Sequence, residues 1–134
     1  MYSEFGANFV KTMLKLSRNN DSVRVVDNQI GSPTYAKDLA ELVLNMCVGE
    51  KWDFGLYHFS NSGATTWFDF AAEIFVQIGS DCKVLPISSE DFGSKARRPK
   101  YSVLIDPRIP DEFSKPWQES LALCLKNMGE PPMI

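Results

Sequence analysis

A chain of 134 residues is long enough to bury one hydrophobic core, and 44% hydrophobic and 23% charged residues are ordinary for a globular protein. A net charge of −3 at pH 7 and a pI near 5.1 argue against a nucleic-acid-binding protein, which would carry a broad basic face. No apolar run approaches the ~20 residues of a membrane-spanning helix, and the start lacks a signal-peptide pattern, so no membrane partner is expected.

The first elements are predicted to be a helix and a strand. Asn8 is placed to cap a helix over residues 9–18, whose apolar residues recur at helical spacing. A turn cluster at residues 19–22 ends this helix. The β-branched run at residues 23–26 then predicts a short buried strand.

A polar loop, residues 28–34, joins that strand to a helix predicted over residues 37–48 and ended by Gly49. Such a loop is a usual place for ligand contacts in α/β proteins. Gly31 allows backbone to approach closely, and the amides and hydroxyls suit a sugar or nucleotide better than a metal or a proton-transfer centre. A capped loop without a ligand is the alternative. These amides and hydroxyls belong to Asn28, Gln29, Ser32 and Thr34.

The middle of the chain is predicted to form a strand, a helix and a second strand. Residues 56–59 have strand composition between glycine-containing turns. Thr66 and Asp69 have capping-box spacing for a helix that Gly79 ends. A strand at residues 83–87 contains a proline, which predicts an edge or irregular position.

The last part of the chain is predicted to contain a polar turn near residues 89–92, a basic loop and a final helix. The basic loop, residues 95–101, leads into a short extended piece. The final helix starts at about Pro116 and ends at Gly129, before a Pro131–Pro132 pair. Helices alternating with short strands predict an α/β fold.

The basic loop carries four cationic side chains within six residues. Adjacent arginines can hold a phosphate or diphosphate, because each guanidinium presents paired donors to phosphate oxygens. A tyrosine can stack on a base or bond a sugar hydroxyl. A solvated basic loop is the alternative. The residues concerned are Lys95, Arg97, Arg98, Lys100 and Tyr101.

Cysteine and histidine give no sign of a metal site. Cys47, Cys82 and Cys124 are far apart and odd in number, which predicts buried free thiols and a reducing, cytoplasmic location. His58 is the only histidine and has no cysteine or acidic residue at metal-ligand spacing. Its aromatic neighbours in the predicted strand favour a structural role over a catalytic one.

Three catalytic or cofactor motifs are missing from the sequence. No Gly-x-Ser-x-Gly occurs, and no two of the eight glycines stand two or three positions apart. No tyrosine is followed four residues later by lysine. The sequence therefore predicts no catalytic residue of its own.

Four segments together resemble the C-terminal half of the dTDP-4-dehydrorhamnose reductase family, which are extended short-chain dehydrogenases/reductases that make dTDP-L-rhamnose. They are GANFVKTML at residues 6–14, VVDNQIGSPTYAKDLA at 25–40, YHFS at 57–60 and ARRPKYS at 96–102. PWQESL at residues 116–121 resembles the family's final helix. Each piece alone would be weak, whereas the combination in this order and spacing is specific.

The resemblance implies the C-terminal part of an NAD(P)-binding, Rossmann-like extended reductase, with about four helices and three or four short strands in a single substrate-binding domain over residues 1–134. In the family an N-terminal Rossmann half carries the NADPH loop and a Tyr-x-x-x-Lys pair, whose tyrosine protonates the 4-keto oxygen as hydride arrives. This chain alone is therefore expected to bind no cofactor tightly and to be inactive.

The resemblance also implies which residues contact a dTDP-sugar. It makes the basic loop a diphosphate site and the polar loop a sugar- or cofactor-facing wall of one cleft. The implied contacts are Asn8, Gln29, Gly31, Ser32, Pro33, Thr34, Arg97, Arg98 and Tyr101.

Two alternative functions fit the same residues. One is a non-catalytic regulatory or protein-interaction module derived from this fold, which would form a homodimer or associate with a Rossmann half through exposed apolar surface. The other is part of a reductase or epimerase for a different nucleotide sugar, although the run from Ile30 to Thr34 favours the rhamnose branch.

Overall fold

The computed structural model describes residues 1–49, 52–93 and 96–130. The predicted α/β fold is confirmed: the described residues form four α-helices, four short strands and one 3-10 helix, Asp111–Phe113. No helix within them is long and apolar enough to cross a membrane. The helices are α1 (Phe9–Ser17), α2 (Ala36–Val48), α3 (Trp67–Ile78) and α4 (Trp117–Asn127), and the strands are β1 (Ser22–Val26), β2 (Ile30–Gly31), β3 (Thr65–Thr66) and β4 (Lys83–Ile87).

All four predicted helices are confirmed, with ends within two residues of the prediction. The Asn8 side chain caps α1 by accepting the Lys11 N–H at 3.1 Å. Thr66 caps α3 by accepting the Asp69 N–H at 2.9 Å, and Gly79 ends α3 with a φ of 64°, in the left-handed region that favours glycine. The predicted stop at Pro131–Pro132 lies outside the described residues.

The strands form two separate two-stranded sheets. β1 and β4 are parallel, and Pro86 lies opposite Val25. Because β4 has one neighbouring strand among the described residues, its predicted edge position is confirmed. β2 and β3 are antiparallel, with Ile30 opposite Thr66.

The predicted strand at residues 56–59 is wrong. These residues join no sheet in the part of the chain that the structure describes. The Arg108 guanidinium donates to the Leu56 carbonyl, and the Asp106 carboxylate accepts the His58 N–H at 3.1 Å. A β-strand forms hydrogen bonds with the backbone of a neighbouring strand, and here side chains bond the backbone groups instead. The His58 residue is exposed.

The core surrounds α3, which contacts α1, α4, β1 and β4. The Phe70 ring lies 5.5 Å from the rings of both Tyr2 and Trp117, so it joins the N-terminal segment to α4. Burial of each such side chain stabilises the fold by about 1.5–3 kcal/mol.

The prediction of buried thiols is confirmed for two of the three cysteines. Cys82 and Cys124 are buried, and burial raises the pKa of Cys124 to about 12. Cys47 is exposed, which corrects the prediction for that residue. Leu42 is the buried apolar residue of α2, whereas Cys47 lies on a different side of the helix.

Candidate functional site

The polar loop and the basic loop lie side by side. The Ile30 N–H donates to the Lys100 carbonyl at 2.8 Å, and the Ser102 N–H donates to the Ile30 carbonyl at 2.9 Å. Ile30 and Tyr101 form a parallel β-bridge. The two segments singled out from the sequence, far apart along the chain, are thus joined by backbone hydrogen bonds.

Gly31 makes this close approach possible. A Cβ at this position would lie 3.0 Å from the Ser102 Oγ, closer than most side chains allow. The sequence predicted that another group approaches the backbone closely at Gly31. In the structure that group is Ser102, directly after the basic loop. Ser102 also donates its hydroxyl to the Ile30 carbonyl at 3.2 Å, which strengthens the same junction.

A cleft of about 350 Å³ opens where the two loops meet. The polar loop forms one wall, the basic loop forms the second, and the starts of α1 and α3 form a third. Residues that line this cleft are Gln29, Ile30, Gly31, Ser32 and Pro33 in the first wall, Arg98, Pro99 and Ser102 in the second, and Phe9, Thr65, Thr66, Trp67 and Phe70 in the third, with Met1 and Tyr2 beside them.

Two polar side chains of the cleft are free to bind a ligand. Gln29 is only 9% exposed, and its amide has no hydrogen-bond partner among residues 1–49, 52–93 and 96–130. Among the described residues, the fully buried side-chain polar atoms without a partner are the Tyr2 hydroxyl and Gln77 Oε1, so the unpartnered Gln29 amide is still reached by solvent. The exposed Arg98 guanidinium forms no ion pair within that same part of the chain. An amide and a cation therefore line one small cleft.

The third wall is aromatic. The Phe9 ring stacks on Phe70 with centroids 5.6 Å apart and lies 4.8 Å from the Trp67 ring. Sequence reasoning missed this wall, because Trp67 and Thr66 reach the cleft only through the pairing of Thr66 with Ile30. A flat apolar surface beside free polar groups suits a nucleobase or a sugar face.

Two of the predicted contact residues lie outside the lining of the cleft and have their side chains engaged. The Asn8 amide accepts from Lys11 and donates to the Ser3 carbonyl at 2.8 Å, so it ties the N-terminal segment to α1. Thr34 is buried and donates to the Ser32 carbonyl at 3.2 Å. Both shape the surroundings of the cleft.

The rest of the basic loop points elsewhere. Arg97 is exposed and does not line the cleft. Tyr101 is 62% exposed and lines a neighbouring depression of about 580 Å³, which shares Ser32 with the cleft. Lys95, part of the predicted anion site, lies outside the described residues.

Asn61 fixes the far end of the polar loop. This residue is 1% exposed and accepts the Tyr35 N–H at 2.8 Å. Its amide NH₂ donates to Asp38 Oδ2 at 2.7 Å and to Ser120 Oγ at 3.0 Å. Sequence reasoning missed Asn61, because an Asn-Ser-Gly run resembles an ordinary turn.

Asp38 keeps its charge inside this network. Burial acts to raise the pKa of Asp38, but hydrogen bonds from Ser120, Asn61 and Lys115 outweigh it, so the pKa lies below its usual range. The Lys115 ammonium pairs with the carboxylate at 3.1 Å. The network therefore joins the polar loop, the start of α2 and α4.

A larger groove, of about 1210 Å³, lies between α1, the start of α2 and the end of α4. It contains none of the predicted site residues, and its two carboxylates are already bonded. Glu130 pairs with Arg18, and Glu4 accepts from Tyr35 and Asn127. In the described residues, no group of histidine, cysteine or acidic side chains could hold a metal.

Comparison with known proteins relates this arrangement to sugar-nucleotide enzymes. A family model described as the RmlD substrate binding domain matches residues 1–130. The spore coat polysaccharide biosynthesis protein SpsK of Bacillus subtilis (strain 168) is 43% identical over 123 residues, which cover 90% of this chain and 42% of SpsK. The dTDP-4-dehydrorhamnose reductase of Aggregatibacter actinomycetemcomitans is 37% identical over 134 residues, covering 90% of this chain and 45% of that enzyme.

The fold has a close counterpart among solved structures. The crystal structure of dTDP-4-dehydrorhamnose reductase from Bacillus anthracis str. Ames, in complex with NADP, matches with a TM-score of 0.87 and 37% identity. The match covers 94% of this chain and 45% of that one. The chain thus spans about half the length of the relatives it matches.

Proposed function

The chain belongs to the RmlD substrate binding domain family, and from that premise we propose that it is the dTDP-sugar-binding part of a dTDP-4-dehydrorhamnose reductase. In the full enzyme the reaction is the NADPH-dependent reduction of dTDP-4-dehydro-L-rhamnose to dTDP-L-rhamnose. Residues 1–134 serve this reaction as one substrate-binding domain.

The observation that carries the proposal is the convergence of a free amide, a free guanidinium and an aromatic wall on one cleft. Arg98 is placed to bind the diphosphate, because phosphate oxygens accept its paired N–H donors. Gln29 and Ser32 are placed to bond sugar or base oxygens. Trp67 offers a flat surface to a ring of the ligand.

The other predicted contact residues support this cleft in different ways. Gly31 and Pro33 line it with backbone and apolar atoms. Asn8 and Thr34 hold the adjoining chain. The proposed substrate contacts in the cleft are therefore Gln29, Gly31, Ser32, Pro33 and Arg98. Arg97 and Tyr101 flank them in the basic loop, and Asn8 and Thr34 support the chain around the cleft.

In this proposal NADPH binds to a part of the enzyme outside residues 1–134. The sequence has no closely spaced glycines to cradle a dinucleotide phosphate and no Tyr-x-x-x-Lys pair to donate a proton. The residues present therefore do not fit NADPH. In this proposal the chain binds the sugar nucleotide, and a Rossmann half binds NADPH and completes the enzyme. The complete enzyme is a monomer or a homodimer and works in the cytoplasm.

Calorimetry with dTDP-rhamnose tests the proposal. Arg98→Ala should weaken binding about 10- to 150-fold, since a hydrogen bond to a charged group contributes about 1.5–3 kcal/mol. Lys126→Ala removes the same charge from the exposed end of α4 and should leave binding unchanged. Absence of heat with the unaltered chain, or equal effects of the two substitutions, would contradict the proposed site.

UDP-glucose and GDP-mannose, titrated in parallel, identify the nucleotide. Preference for dTDP-rhamnose supports the rhamnose assignment. Stronger binding of either other nucleotide sugar would assign the domain to a reductase or epimerase of that sugar.

A further inference from the structure

A polar turn follows β4 and reaches the start of the polar loop. It spans residues 88–93 and is here called the β4 turn. The Ser88 hydroxyl accepts the Asp91 N–H at 3.0 Å, and the Ser88 carbonyl accepts the Phe92 N–H at 3.0 Å. Both bonds lie within the turn, so its conformation is fixed locally. The β4 turn is therefore a well-defined support for the side chains that it carries.

Asn28 bonds the middle of the β4 turn with both ends of its amide. Asn28 Oδ1 accepts the Ser89 N–H at 3.1 Å, and Asn28 Nδ2 donates to Glu90 Oε2 at 3.1 Å. The Ser89 hydroxyl donates to the same Glu90 oxygen at 3.2 Å. The two contacts of Asn28 join residues 61 and 62 positions apart along the chain. The turn thus attaches the polar loop to a distant part of the fold.

This attachment acts on the cleft from behind its wall. Asn28 lies directly before Gln29, the amide that lines the cleft, whereas Asn28 and Glu90 lie outside the lining. On the other side of Gln29, Ile30 is bonded to the backbone of the basic loop. Gln29 is therefore held between two anchors, one at the β4 turn and one at the basic loop.

Glu90 also carries a negative charge near the basic loop. The pKa of Glu90 lies below its ordinary value, chiefly because its own backbone N–H and the Asn28 amide donate to the carboxylate. A hydrogen bond from Ser89 and the charge of Lys100 act in the same direction. Residues 97–100 bring three cations together, and like charges repel one another. A carboxylate near Lys100 reduces this repulsion and favours the observed position of the loop.

We propose that Glu90 is a positioning residue of the cleft, whose carboxylate holds Asn28, and thereby Gln29, at the junction with the basic loop. The bond to Asn28 is the main contribution, and the attraction of Lys100 adds to it. The inference rests on the proposed function, since it concerns the binding of a sugar nucleotide in this cleft. The same negative charge repels an anionic ligand. A positioning role and a purely electrostatic effect of Glu90 therefore predict changes in binding of opposite sign.

Calorimetry with dTDP-rhamnose on two variants measures this sign. Glu90→Ala should weaken binding about tenfold, because the hydrogen bond that holds the wall of the cleft is lost. Glu90→Gln should bind within about threefold of the unaltered chain, because its carbonyl still accepts from Asn28 and weaker repulsion of the ligand offsets the lost attraction of Lys100. Glu119→Ala and Glu119→Gln make the same changes in the exposed first turn of α4 and should leave binding unchanged.

Amide exchange followed by NMR reports the position of the loops without a ligand. The N–H groups of Ile30 and Ser102 bond across the junction of the two loops. Glu90→Ala should speed their exchange about fivefold relative to that of Leu121, whose amide in the buried part of α4 reports unfolding of the whole domain. Asn28→Ala should reproduce both changes, and adding Glu90→Ala to it should have little further effect, since the two residues share one hydrogen bond.

The results distinguish this inference from the proposed function. Stronger binding by Glu90→Ala, equal losses in Glu90→Ala and Glu90→Gln, or junction amides that exchange in step with Leu121 would overturn the positioning role. Faster exchange at the junction in a chain that gives no heat with dTDP-rhamnose would support the positioning of the loops and contradict the proposed function.

Discussion

Replacement of Asn61 by alanine should cost much of the stability of the domain. Asn61 is almost fully buried, and its amide serves Tyr35, Asp38 and Ser120 at 2.7–3.0 Å. Asn61→Ala leaves the Tyr35 N–H without an acceptor, at about 1–3 kcal/mol for a buried unsatisfied group. It also removes a hydrogen bond from the Asp38 carboxylate, at about 1.5–3 kcal/mol. The expected loss is about 3–5 kcal/mol.

Urea unfolding followed by tryptophan emission measures this loss. The midpoint should fall with little change in the slope, and the melting temperature should drop by roughly 10–18 °C. Asn20→Ala is the control: Asn20 is exposed, its amide donates to the Leu16 carbonyl at 2.9 Å, and a surface substitution costs about 0.5 kcal/mol. If Asn61→Ala costs no more than Asn20→Ala, the network around Asp38 does not stabilise the polar loop.

Two further predictions concern Asp38, in the network that holds the polar loop, and Gly31, within that loop. Because the folded-state pKa of Asp38 lies below the 3.8 of a free side chain, its contribution to stability is present above that pH and is lost as the pH falls through the folded pKa. Urea midpoints between pH 2 and 6 should therefore show a smaller acid-dependent fall for Asp38→Asn, and an unchanged fall would contradict this reasoning. Gly31→Ala should cost about 1 kcal/mol, because Ser102 Oγ must leave its hydrogen bond to Ile30. The double variant with Ser102→Ala should show that the two costs are not additive, and strict additivity in thermal melts would refute the proposed contact.

The helices were predictable because their signals are local. The hydroxyl of Thr66 and the amide of Asn8 act within three residues of their own positions. Gly79 ends α3 through its own backbone conformation. The junction of the polar and basic loops was predicted in outline, from the resemblance and from the complementary chemistry of their side chains.

The composition of the cleft was only partly predictable, because it depends on pairing between distant segments. Trp67 reaches the cleft through the opposition of Thr66 and Ile30, for which the sequence has no local sign. Arg97 and Arg98 have the same chemistry, and only the path of the chain places Arg98 in the cleft. Asn8 carries both a capping signal and a family resemblance, and in the structure its amide is occupied by backbone groups.

Two of the wrong predictions are a strand at residues 56–59 and a buried Cys47. In both cases the signal in the sequence was apolar composition, which does not determine which side of a segment the rest of the chain covers. The cleft draws its residues from the polar loop, the basic loop and the starts of α1 and α3, and takes none from residues 56–59 or from Cys47. Substitutions at these positions and substitutions in the cleft therefore change different side chains, and their effects on stability and on ligand binding can be measured separately.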